Sequence, residues 1–251
     1  MVSKSHATGP IFASLILACF LSIEPAVADE PACLATERQP ICTCDLTKLR
    51  PLQGAVGMKQ VIYMENRIAD DPKHGRRKLE EDPIKVVAGV GGQLFIIDHH
   101  HAAEAWLGAK TEWGANALCK IVNSEKGLPA EFKTEDEFWT ALKAARLVRL
   151  KNASGIDVDV SQLPKTLETM PDDPYRSLAW FVRQKGGFCK TAREFAEFAW
   201  ADWFRSKSPA LEIQNLPSDP NDKNATVDEA VEMAHSSEAE NLPGYSAVKC
   251  Q

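Results

Sequence analysis

The sequence predicts a mixed fold, with strands and helices in one chain. Short β-rich runs at 84–88, 94–97 and 115–122 read as strands, and apolar residues at helical spacing mark 56–69, 134–148 and 174–185 as helices. At 251 residues the chain suits one ordinary domain plus tails, with a sizeable core.

The first 28 residues stand apart. Lys4 and His6 precede an apolar run over 11–23, and Ala26-Val27-Ala28 follows before Asp29. A basic start, a short apolar stretch and an A-x-A site describe a cleavable secretory signal. The run is short for a membrane-spanning helix, so no stable insertion is expected after cleavage. Removal at Ala28 leaves Cys33, Cys42, Cys44, Cys119, Cys189 and Cys250, an even set that suits disulfides in an exported protein. Cys42-Thr43-Cys44 lacks zinc or thioredoxin spacing, and Cys250 reads as a staple for the C-terminus. The pairing itself stays open.

The segment 29–45, with Pro31, Pro40 and three cysteines, reads as an irregular tethered arm, and 46–49 as a short edge strand. Pro72 and Gly75 in a charged stretch make 70–82 a loop. Glycines at 89, 91 and 92 join the runs at 84–88 and 94–97 into a hairpin. A helix over 100–107 would end on Gly108 as its C-cap. Thr134 with Glu137 forms a capping box that opens the helix at 134–148. Two more helices are expected at 174–185, with Pro174 early, and at 191–206, where the aromatic residues read as core. The remainder turns polar, with a mobile stretch at 218–225 and a weak helix at 227–239.

Net charge is −6 and stays −6 after signal removal, because one base (Lys4) and one acid (Glu24) leave together. An acidic chain lacks the overall positive field of a tight non-specific DNA binder. The local exception, Lys73 to Lys78, is balanced by Glu80, Glu81 and Asp82. No Walker loop, Gly-x-Ser-x-Gly or His-Glu-x-x-His motif is present.

Chemistry concentrates at Asp98-His99-His100-His101, where an apolar strand meets a helix and half of the six histidines gather. Helix-start N–H groups lack internal partners and favour an anion, and imidazole serves as acid, base or metal ligand near neutral pH. Successive side chains diverge, so a metal would need distant partners that no spacing in the chain supplies. Metal ligands are therefore unassigned, and a divalent metal is the only cofactor class the cluster suggests. The alternative reading is a capping Asp98 with histidines that pack or bond backbone.

Several blocks carry a resemblance to the ParB-like nuclease family. They are Leu49-Arg50-Pro51-Leu52-Gln53 with Val56-Gly57-Met58, then Ile97-Asp98-His99-His100-His101, Asp172-Asp173-Pro174-Tyr175-Arg176-Ser177-Leu178-Ala179, and Glu197-Phe198-Ala199-Trp200-Ala201-Asp202. Together they span 45–206. The resemblance implies the α+β fold of ParB N-terminal domains and sulfiredoxin, a small mixed sheet with packed helices, here with a C-terminal helical extension. The corresponding domain reading is a signal peptide at 1–28, a cysteine-rich arm at 29–45, a ParB/sulfiredoxin-like core at 46–125, its helical extension at 126–206 and a polar tail at 207–251. In relatives this strand-to-helix turn handles nucleotide phosphates through a Gly-x-x-Arg pattern. Here His99 replaces the glycine, His100 the sulfiredoxin cysteine and Ala102 the arginine. Sulfiredoxin chemistry is not expected without its nucleophile.

The resemblance and the cluster together imply an exported nuclease or phosphodiester hydrolase, secreted or periplasmic. Asp98, His99, His100 and His101 are the catalytic candidates, and Arg50, Gln53, Glu104, Tyr175 and Arg176 would contact nucleic acid or another phosphate-containing ligand. A non-catalytic binding protein on the same fold is the alternative, and Arg176 could instead pair with Asp172 or Asp173. Replacing His100 or His101 by Ala should abolish function while leaving melting nearly unchanged if the histidines serve chemistry alone. Export predicts an intact mass beginning at Asp29 in protein from the native host. Thiol titration of that protein in denaturant without reductant should find at most two reactive groups. Retained residues 1–28 or six free thiols would defeat the expectation.

Overall fold

A computed structural model describes residue 1 and residues 31–34, 41–207 and 211–250. The expected signal segment and part of the N-terminal arm lie outside the described residues. Five strands form one mixed sheet in the order β1-β5-β3-β4-β2, where β1 is Cys42–Asp45, β2 Arg50–Pro51, β3 Ile84–Ala88, β4 Leu94–Ile96 and β5 Asn116–Ile121. The hairpin β3-β4 is antiparallel and β1 runs antiparallel to β5, whereas β3-β5 and β2-β4 are parallel. This is an α+β fold with helices covering both faces of the sheet.

Alternation along the strands explains the layering. Ile84, Val86 and Ile96 point to one face, where they meet α1 (Met58–Asp70), α2 (Pro72–Glu81) and α3 (His100–Gly108) in a core that includes Val61, Leu79 and Trp106. Val87, Phe95 and Ile97 point to the other face, against Phe138 and Leu142 of α4 (Glu135–Ala144). A third core joins α5 (Pro174–Gln184), α6 (Ala196–Ser206) and α7 (Ala225–His235) around Trp180, Trp200, Phe204 and Val227.

Several segments differ from expectation for definable reasons. Residues 70–82 are helical over α2, since Asp71 Oδ1 accepts the His74 N–H at 2.9 Å and Pro72 occupies the first turn, where no donor is needed. Gly75 does not break the helix. A Cβ there would lie 3.2 Å from Ile68, so glycine lets α2 sit close to α1. The expected edge strand at 46–49 is a 3-10 turn, Leu46–Lys48, capped by Asp45 between two short strands. Gly108 is the last helical residue and not a left-handed cap. Its Cβ would meet the Glu65 carboxylate at 2.4 Å, and Lys110 takes the positive φ instead.

Helix α4 stops at Ala144, with Arg146 left-handed at φ 54°, and is shorter than the run to 148. Thr134 accepts the Glu137 N–H, but the Glu137 side chain accepts from Lys133, so the box closes one residue early. α6 begins at Ala196, leaving 191–195 as a non-helical strap. Nor is the C-terminal part a trailing tail: Val227, Ala230, Ala234 and Ala239 are fully buried in the third core. Within 218–225, Lys185 donates to the Asp222 carbonyl at 2.9 Å and Asn224 caps α7.

All six cysteines expected in the mature chain are paired, Cys33–Cys42, Cys44–Cys119 and Cys189–Cys250. Cys44–Cys119 links neighbouring strands, and Cys189–Cys250 ties the C-terminus to the start of the strap. No helix among the described residues is long and apolar enough to cross a membrane.

Candidate functional site

The site begins where β4 hands over to α3. After Ile97 and Asp98 the chain reverses at His99, with φ 68° and ψ 29°, the left-handed region that glycine enters most freely. Asp98 Oδ1 accepts the His99 N–H at 2.8 Å, so Asp98 is not the helix cap; His99 is, without a side-chain capping bond. Among the described residues, no protein acceptor meets the N–H groups of His100, His101 and Ala102. The first turn of α3 therefore presents free donors and a positive dipole end.

The three imidazoles go three ways. His99 Nε2 donates to Asp82 Oδ2 at 3.0 Å, which leaves its Nδ1 as the bare nitrogen, buried and without a partner. His100 Nε2 shares the Leu52 N–H at 3.2 Å with the Ile96 carbonyl, also at 3.2 Å. Its Nδ1 is buried without a partner. His101 Nε2 accepts the Gly57 N–H at 3.0 Å. Burial lowers the His100 pKa to about 3, against the pull of Asp98 and with repulsion from Arg176 and His99 acting in the same direction as burial. Burial and then Arg176 likewise push His101 well below its ordinary value. Both rings are neutral at physiological pH.

Divergence also answers the metal question for this cluster. Nε2 of His100 and of His101 is committed to a backbone donor, and among the described residues no three His, Cys, Asp or Glu side chains converge on a cation. The donor set does not fit a divalent metal.

A cavity of about 620 Å³ opens over this junction. Asp98, His99, His100 and His101 line it, with Gln53 from the segment after β2, Arg176 and Arg183 from α5, and the strap 189–195. Seven basic and four acidic side chains face it, an excess of positive charge in an acidic protein. Lys85 pairs with Asp82 and Asp98, Lys126 with Glu194, and Arg183 with Glu197. Among the described residues, Arg146, Arg176, Lys190 and Arg193 have no carboxylate at ion-pair distance. Arg176 is the telling member. It is 3% exposed, its Nη1 lies 3.5 Å from Gln53 Oε1, its guanidinium stacks 3.5 Å over the Phe198 ring, and its Nε has no partner. Glu197, Asp173 and Asp202 favour its charge from beyond ion-pair distance, but a buried cation with no bonded counter-ion is costly unless an anion joins it.

Gln53, Arg176 and the 98–101 cluster thus come together, and three other expected contacts do not. Arg50 lies over Phe95 at 5.3 Å, outside the cavity lining. Tyr175 packs under the Arg205 guanidinium, which pairs with Asp173 at 2.6 Å, and it too lies outside the lining. Asp173 caps α5 through the Tyr175 N–H and pairs with Arg205, so the alternative reading of an Arg176 pair with Asp172 or Asp173 is not what forms. Glu104 faces Asp172 and Glu65 away from the lining, and burial followed by those two charges raises its pKa to about 7. For Asp98, burial raises the pKa, but His99, its backbone N–H and Lys85 bring the net value down. Sequence reasoning missed Asp82, read only as loop charge, and the strap. Glu194 and Glu197 are ion-paired at the cavity.

A five-stranded mixed sheet with a strand-to-helix turn whose first N–H groups are free defines a ParB/sulfiredoxin-like α+β protein. Residues 42–206 match the family described as "Putative ParB-like nuclease", and the chain belongs to that family. Among solved structures it is similar to protein Atu1540 from Agrobacterium tumefaciens, at 29% identity and TM-score 0.64, over 83% of this chain and 98% of that one. No curated protein matches.

Two stability outcomes are expected. His101→Ala leaves the buried Gly57 N–H unpaired beside a small void and costs about 2–4 kcal/mol, read by denaturant unfolding; loss of function in that variant is therefore not diagnostic of chemistry. The pH dependence has two opposing parts. His100, depressed from 6.5 to about 3, contributes stability present above pH 6.5 and lost as pH falls toward 3. Glu104, raised from 4.5 to about 7, contributes stability present below pH 4.5 and lost as pH rises through 7. Glu104→Gln should therefore raise the melting temperature by roughly a few degrees at pH 8 and leave it unchanged at pH 4, measured by calorimetry.

Proposed function

We propose that this protein is an exported hydrolase of phosphodiesters, nucleic acid being the substrate class its family name suggests. The observation that carries the reading is the buried, unpaired Arg176 in a cation-rich cavity over the free N–H groups of α3. A phosphate there would accept from Arg176 and from the helix start, satisfying donors that otherwise lack partners. His99 is the general base. Asp82 fixes the tautomer by accepting from Nε2, and Nδ1 is left to take a proton from the attacking water as the phosphorus–oxygen bond to the leaving group breaks. The proton then leaves with the departing alcohol. No step requires a metal. Three disulfides and the expected signal segment support export.

One observation favours a second reading, binding without catalysis: the Nε2 atoms of His100 and His101 serve backbone donors, so only His99 retains a lone pair for chemistry.

Oxidised mature protein, assayed on single- and double-stranded nucleic acid, separates the two. His99→Asn, chosen because Asn tolerates positive φ, and Asp82→Asn should each lower kcat by about 10²–10⁴-fold with little change in melting. Binding should weaken steeply with salt and be lost in Arg176→Gln. Salt-sensitive binding with no turnover in the wild type would establish the second reading.

A further inference from the structure

The strap between α5 and α6 adds something the phosphate reading does not use. From Cys189 to Phe195 every residue lines the cavity, and the segment alternates exposed cations, Lys190 and Arg193, with the ring of Phe195. Its first residue is held by the Cys189–Cys250 bond and by the Cys189 N–H to the Gly244 carbonyl at 2.8 Å. Its far end is held by the Lys126–Glu194 pair at 3.1 Å.

Phe195 itself sits at φ 55° and ψ 26°. A bulky residue in the left-handed region is an outlier that persists only where its surroundings demand it, and such outliers gather at functional sites. Helix capping does not explain it, since Phe195 makes no side-chain capping bond at the start of α6. What the conformation achieves is placement. The half-buried ring stands edge-to-face with Phe198 at 5.5 Å, and Phe198 in turn carries Arg176 on its face at 3.5 Å. An aromatic ring and a phosphate-seeking guanidinium are thus held to a common support inside one positive cavity. Such interleaving of rings and cations is how proteins grip single-stranded nucleic acid, the ring taking the flat face of an unpaired base and the cations its backbone.

Resting on the phosphodiester reading above, we infer that the substrate is single-stranded nucleic acid, with one unpaired base stacked on Phe195 and the adjoining phosphates on Arg176, Lys190 and Arg193. A base locked in a duplex keeps both faces covered by its neighbours and has none to offer the ring.

The test is equilibrium binding by fluorescence anisotropy, at low salt, to the oxidised full mature chain. The probes are labelled oligothymidylate, an abasic sugar-phosphate oligomer of equal length and charge, and a duplex of the same length. Oligothymidylate should bind about 5- to 100-fold tighter than the abasic oligomer, and tighter than the duplex. Phe195→Leu should remove that preference, and Phe195→Tyr should keep it. Equal binding of the oligothymidylate and abasic probes by the wild type overturns the stacking role and leaves the phosphate reading standing, as does a preference that survives in Phe195→Leu. Tighter binding of the duplex overturns the single-strand assignment. Failure to bind any probe overturns both readings. The wild-type comparison decides the point even where Phe195→Leu does not fold.

Discussion

The structure around the cavity depends on one backbone reversal, the left-handed turn at His99. By turning there the chain points the next two imidazoles back under the sheet edge. His100 then reaches Leu52 beyond β2, and His101 reaches Gly57 at the start of α1. Helix α1 cannot cap itself, because its N-cap residue is glycine. Its first three N–H groups are met from elsewhere, by His101, by Asp172 before α5 and by Ser177 within α5. The same three bonds bring α1, α3 and α5 together, and a Cβ on Gly57 would approach the Ser177 nitrogen to 2.6 Å. Two helix starts therefore differ in kind: α1 is closed by side chains, and α3 is left open toward the cavity.

Burying two neutral histidines and one arginine in the same region has an electrostatic logic. Arg176 lies close enough to repel a proton on either ring, and burial acts in the same direction. The imidazoles stay uncharged, so the guanidinium remains the fixed charge at the floor. Phe198 supports it through the face of the ring, which offers attraction without the neutralisation a carboxylate would bring. Carboxylates are nearby, but Asp173 and Asp202 are engaged by Arg205, and Glu197 by Arg183.

Much of this was legible in the sequence where the signal was local. The β3-β4 hairpin followed from its glycines, α5 from Asp173-Pro174, and the importance of the histidine run from its place between an apolar strand and a helix. Long-range pairing was not legible: nothing near Asp82 announces that it holds His99, seventeen positions away. Pro72 and Gly75 misled because their effect depends on placement, at a helix start and against a neighbouring helix respectively. The C-terminal helix was underestimated because its buried face is largely alanine and valine, with little hydrophobic contrast to reveal it.

The bond between Cys189 and Cys250 ties the cavity's wall to a residue that stands outside its lining. Gly186 and Gly244 show how tightly the two segments are joined, since a Cβ on either would collide with the other's backbone. Chain synthesis runs from the N-terminus, so the sheet and the histidine turn can be complete while this wall still lacks its anchor. Assembly of the cavity thus ends with an oxidation step, and a reduced chain would keep its fold's centre but leave one side of the cleft untied.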